Sequence, residues 1–153
     1  MTYRTTGLDP SRFAPLFQLP DDELALRSIM RIEVTEWPGF PCRISLDDAE
    51  PGETVLLLNH ASVEQGPYAA THAIFVSEAA RQGRYEDEVP PALDRRLLSL
   101  RAFDAADMML DALVAGPGEA DEAIRRLFDK PAVHYIHAHN ATRGCFAAAV
   151  ERT

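Results

Sequence analysis

Apolar residues recur along this chain in two rhythms. Ala120, Ala123, Ile124, Leu127 and Phe128 fall three or four positions apart, which places them on one stripe of a helix. Glu119, Asp121 and Glu122 open that segment, while Arg125, Arg126 and Lys130 close it. This charge order suits a helix dipole, and Pro131 stops the turn. The pattern predicts one long helix over residues 118–130. Asp21, Asp22 and Glu23, followed by Leu24 and Leu26, predict a second, short helix.

Elsewhere the rhythm has period two or is continuously apolar. Residues 30–36 alternate apolar and charged side chains, as in a strand with one buried and one wet face. Residues 54–58 are apolar on both faces and predict a central strand. Further strands are expected at 3–7, 71–77, 132–139 and 145–151. Loops fall at Trp37-Pro38-Gly39-Phe40-Pro41, at 59–68 and at 140–144. Residues 94–114 read two ways: Leu, Ala and Met content favours helix, yet 97–103 and 108–114 can pair as a hairpin across Asp104-Ala105-Ala106-Asp107. The sum is an α+β class, a mainly antiparallel sheet with the 118–130 helix packed on it and one or two short helices.

Composition narrows the setting. The 153 residues suit a single domain spanning 1–153, and 46% hydrophobic with 25% charged residues suits a folded core. A formal net charge of −9 repels phosphate backbones, so neither nucleic acid nor an anionic membrane is expected as a partner. The apolar run 55–58 is far too short to cross a bilayer, and residues 1–10 carry no signal-like apolar stretch. With only Cys42 and Cys145, a reducing cytoplasm is the expected compartment.

Candidate chemistry gathers between His134 and Cys145. On a strand, Tyr135, His137 and His139 share one face. Asn140 and Arg143 follow, both suited to hold a carbonyl or an anion. A parallel crossover through the preceding helix would open a crevice at this end. Four readings compete. A metal site would draw on His60, His137 and His139, with Glu64 near, but no HExxH or cysteine-pair spacing supports it. Cys145 could act as a nucleophile activated by His137 or His139, although its neighbours Ala147, Ala148 and Ala149 resemble tight core. In the third reading the histidines merely flank a hairpin, with Gly144 supplying a positive φ. In the fourth the cluster binds a small ligand without chemistry.

Other features are weaker. His72 alternates with Ile74 and Val76, as a hydrogen-bonded core histidine does, and Cys42 reads as a small packed side chain. Gly116-Pro117-Gly118 lacks a third glycine, and the acids after it would repel a phosphate.

Several segments taken in order carry a resemblance. Pro41-Cys42-Arg43, Gly66-Pro67-Tyr68 before Ile74-Phe75-Val76, Leu100-Arg101-Ala102-Phe103-Asp104, and above all His137-Ala138-His139-Asn140-Ala141-Thr142-Arg143-Gly144-Cys145-Phe146 resemble the bacterial family known as domain of unknown function 1203. The resemblance favours the hairpin over 97–114 and implies a second cysteine soon after Pro41-Cys42-Arg43, where this chain has Ile44-Ser45-Leu46. It implies no activity or cofactor. The leading expectation is therefore a non-enzymatic binding or interaction domain. Its rival is a small enzyme or ligand-binding protein using His137, His139, Asn140, Arg143 and Cys145. A homodimer joined through an exposed sheet edge is the third.

Overall fold

The computed structural model describes residues Met1–Thr153. Its nine strands form two antiparallel sheets. The larger contains β1 (Tyr3–Thr6), β5 (Arg84–Glu86), β6 (Leu98–Phe103), β7 (Met109–Ala115), β8 (Tyr135–Asn140) and β9 (Phe146–Arg152), in the spatial order β5-β1-β9-β8-β6-β7. The smaller contains β2 (Met30–Glu33), β3 (Thr54–Val63) and β4 (Ala70–Ser77), with β3 central. Four short helices accompany them: α1 (Ala14–Phe17), α2 (Asp21–Leu26), α3 (Pro91–Asp94) and α4 (Ala120–Phe128). No helix is long and apolar enough to cross a membrane.

Helix α4 covers one face of the larger sheet. Its Ile124, Leu127 and Phe128 pack into a core with Leu98, Leu100, Ile136 and Val150. On β8 the alternation sends Ile136 and Ala138 into this core, and therefore turns His137 and His139 to the other face. That second face meets the far ends of β3 and β4, where His60 lies 5.4 Å from Phe146 and His72 lies 4.9 Å from His139, ring centre to ring centre. The near ends of β3 and β4 build a separate core with α2, in which Leu24, Ile44, Leu56, Leu58, Ile74 and Val76 are buried.

The loop before β3 is tucked between the sheets rather than lying on the surface. Cys42 bridges to Phe75 of β4, and the carbonyl of Arg43 accepts the amide of Leu8. Glycine is required where this loop passes: a Cβ on Gly7 would lie 1.8 Å from the Ile44 carbonyl oxygen, and one on Gly83 would lie 2.3 Å from that of Ser45. Close backbone approach at these two points seats Arg43 deep in the molecule.

The α+β, mainly antiparallel class is as the sequence indicates, with adjustments. The residues 97–114 form the β6–β7 hairpin, despite their helical composition, because Leu98, Leu100 and Ala102 alternate into the core. The expected long helix over 118–130 is only the nine residues Ala120–Phe128, since Gly118 takes a positive φ of 78° and Glu119 caps the start. The strand expected over 30–36 ends at Glu33 and buries neither face cleanly, being an edge strand with Met30 exposed. Arg31 is instead held inward by the carbonyls of Phe17 and Leu19. Conversely, β3 runs on to Val63 into the expected loop, pairing Asn59 with Ala73 and His60 with His72. The crossover through α4 does link parallel strands, but β6 lies between β7 and β8 and pairs antiparallel with each.

Candidate functional site

Four of the five histidines converge on the face opposite α4. His60 and His72 are directly paired across β3 and β4, so both point the same way. His137 and His139 rise from β8 to meet them. Phe146, paired across from His139, stands among three imidazoles: its ring centre is 5.4 Å from His60, 5.0 Å from His137 and 5.9 Å from His139. A bulge between Ala138 and His139 sets this register.

The electrostatics follow from burial. Burial is the main cause that lowers the pKa of His60, His137 and His139 to about 4, helped by Arg12 at His60 and opposed by the Gly144 hydrogen bond at His139, and burial lowers that of His72 too. At neutral pH this is a nest of uncharged rings. His139 Nδ1 lies 3.1 Å from the Gly144 carbonyl oxygen, which only accepts, so Nδ1 carries the proton and Nε2 a lone pair. His72 Nε2 shares a hydrogen bond with Ser62 Oγ at 3.2 Å. His137 Nδ1 is buried without a partner.

Phe146 separates these rings, and no set of three or more His, Cys, Asp or Glu side chains is placed to hold a metal ion. The suggested trio His60, His137 and His139 thus meets around a phenyl ring rather than a shared ligand point. A cavity of about 240 Å³ beside His137 and His139 is lined also by Ser62, Tyr68, Arg101 and Phe103.

Asn140, Arg143 and Cys145 turn elsewhere. Together with Arg43, Arg96 and His72 they line a cavity of about 740 Å³ at the β8–β9 turn. Gly144, at φ 78°, and the bond from its amide to the Asn140 carbonyl shape this turn. The predicted cluster is therefore two groups, His137 and His139 facing one cavity and Asn140, Arg143 and Cys145 the other, joined by the His72–His139 contact.

Cys145 is a part-exposed free thiol on the cavity wall, whereas Ala147 and Ala148 after it are packed in the core. Its hydrogen-bond donors are not imidazoles. Arg43 Nη2 reaches Sγ at 3.1 Å and Asn140 Nδ2 reaches it at 3.5 Å. Arg43 is the residue that sequence reasoning missed. It is 2% exposed, and its Nε and Nη1 donate to the carbonyls of Phe146 (2.8 Å) and Pro41 (2.6 Å). No carboxylate pairs with it, in contrast to Arg96, whose Nη2 lies 2.5 Å from the buried Asp48. A single arginine in a proline-flanked loop carries no periodic signal, so only the fold reveals its burial.

Cys42, by contrast, is sealed in the core, where its sulfur accepts the Ser77 amide at 3.3 Å. Gly116 offers no phosphate cradle, because its amide already bonds the Glu119 carboxylate at 2.8 Å.

No curated protein and no solved structure matches the chain. The profile of a family described as "Protein of unknown function (DUF1203)" matches residues 39–152, which takes in both cavities' principal residues, Arg43, His137, His139, Asn140, Arg143 and Cys145. The chain belongs to the DUF1203 family, for which no function is assigned.

Proposed function

We propose that this protein binds a small anionic molecule, bearing a carboxylate or phosphate, in the 740 Å³ cavity at the β8–β9 turn. The observation that carries this reading is Arg43, a buried guanidinium with no carboxylate partner on the wall of that cavity. Buried charges are normally paired, so an arriving anion is stabilised without displacing an internal one. Arg143, exposed at the mouth and free of ion pairs, adds a second planar fork, and Asn140 adds an amide. The cavity volume falls within the usual range for small-ligand sites.

Thermal-shift titration with succinate, citrate and inorganic phosphate, against matched amines and neutral amides, tests this. The anions raise the melting temperature of the wild type, and Arg143→Gln weakens the effect. Shifts that are absent, or that are equal in Arg143→Gln, overturn it.

A second reading rests on β7. This edge strand has seven residues and no proline or lysine, and Leu110 and Val114 are 43% and 70% exposed on it. Unprotected edges of this kind pair with other strands, which supports self-association. Light scattering over a concentration series tests it, and a constant monomer mass removes it.

A further inference from the structure

The cavity at the β8–β9 turn is bounded by two kinds of wall. On one side Leu57 and Phe75 are paired across β3 and β4, so they share a face, and Phe40 leans on Phe75 with ring centres 5.0 Å apart. All three are half-buried and line the cavity, so each keeps apolar surface that the protein's own cores leave uncovered. Leu97 lines the cavity too and is 41% exposed; its carbonyl accepts the Ala141 amide, which ties it to the turn. A single exposed leucine is ordinary. One that lines the same cavity as two phenyl rings offers a seat for an apolar group.

The polar groups are distributed differently. Asn140 and Arg143 flank the turn, and Arg43 lies in the buried loop behind it. The bonds from Arg43 to Phe146, Pro41 and Cys145 engage each of its nitrogens once. Each terminal nitrogen carries a second N–H, and none of the three acceptors is a carboxylate, so the charge has no counter-ion. Arg143 is exposed on the same cavity. The wall also carries one negative group, Glu36. It lies against Gly39, where a Cβ would come within 2.9 Å of its Oε1, and so beside Phe40. The cavity therefore attracts an anionic group at the turn and repels a second one on the aromatic side.

We propose that the ligand of this cavity is an amphipathic monocarboxylate, an aromatic or branched acid with a single charged end, rather than a small polyanion. The proposal rests on the anion-binding reading and narrows it. The carboxylate meets the fork of Arg143 and the amide of Asn140, close to the buried charge of Arg43. The body of the acid lies against Phe40, Phe75 and Leu97, which lose their contact with water as it enters.

Other classes satisfy only one wall. A short dicarboxylate answers the arginines but leaves the phenyl rings wet and carries its second charge toward Glu36. An aryl amine covers the rings but brings the wrong sign to Arg143 and Arg43. An acid with one charge and an apolar body answers both.

Isothermal titration calorimetry on the intact chain tests this with 3-phenylpropionate, succinate and 3-phenylpropionamide, the last being the uncharged isostere of the first. The expected result is saturable binding of 3-phenylpropionate about tenfold tighter than that of succinate, the factor that burying much of a phenyl group supplies. The amide binds roughly tenfold more weakly than the acid, having lost the charge-assisted bonds. Leu97→Ser alters an exposed side chain and keeps the backbone bond to Ala141. It lowers the preference for 3-phenylpropionate over succinate by about threefold and leaves succinate unchanged, whereas Arg143→Gln weakens both acids. Succinate binding as tightly as 3-phenylpropionate, or a preference untouched by Leu97→Ser, overturns the proposal and leaves the anion-binding reading standing. Equal binding of acid and amide, or no binding of either acid, overturns both.

Discussion

The two faces of the six-stranded sheet solve the same packing problem with opposite materials. Beneath α4, Leu100, Ile124, Leu127 and Ile136 close against one another with essentially no exposure. The face turned to β3 and β4 is filled instead by four imidazoles, Phe103, Tyr135 and Phe146. The α4 face is apolar, so its stability scales with buried area and is indifferent to pH. The histidine face depends on its rings staying uncharged, and the cavities open there and at its margin. One face holds the sheet together while the other leaves room for a ligand at some cost in packing.

The strongest way to break this contrast is Ile124→Ala. It removes a fully buried side chain under α4 and should cost about 2–5 kcal/mol in urea unfolding. A loss below about 1 kcal/mol would mean the α4 face is loosely packed after all. Acid acts next, and on the other face. The unfolded histidines take protons near pH ~6.5, but His60, His137 and His139 resist until about pH 4 in the folded chain. The unfolded state therefore binds more protons between those limits. Stability is fully present above pH ~6.5 and drains away as the pH falls toward ~4, by about 2 kcal/mol at pH 5 for each ring that stays uncharged in the fold. An unfolding free energy that is flat from pH 7 to 5 would show the rings to be solvated.

Smaller effects sharpen the picture. Phe146→Leu keeps the bulk of the ring's burial but loses its edge contacts with three imidazoles, so about 1 kcal/mol should go. His137→Leu should be neutral or stabilising by up to ~1 kcal/mol at pH 7, because Nδ1 is buried without a partner. It should also reduce the acid sensitivity. A loss above ~2 kcal/mol would reveal a hydrogen bond at Nδ1 worth keeping.

What could be read from the chain beforehand tracks how local the signal is. The α4 stripe and the alternation of Tyr135, His137 and His139 are visible because helix and strand periods act within a few residues. The alternation even yields the correct face for both histidines of β8. The end of β3 was hidden, since Asn59 and His60 interrupt an apolar run and look like loop, although their alternation with Leu56 and Leu58 continues the strand. The split of the expected cluster into two cavities could not be seen, because it arises from the turn at Gly144 and from partners on β4. Arg43 lay beyond reach for the same reason: its partners Cys145 and Phe146 come from the far end of the chain.

The place of β1 bears on how the molecule is made. It lies inside the six-stranded sheet, paired on one side with β9 through Tyr3–Arg152, and the adjacent Thr2 hydroxyl reaches Thr153, 151 positions away. On the ribosome, β1 is made long before β9, the partner on its inner side. At ordinary synthesis speeds of ~5–20 residues per second it waits roughly 7–30 seconds for β9, with only the short β5 on offer as a partner earlier. Contacts so distant in sequence also slow folding. The β1–β9 pairing is thus a late closure, and the nascent chain that awaits it is where chaperone dependence should concentrate.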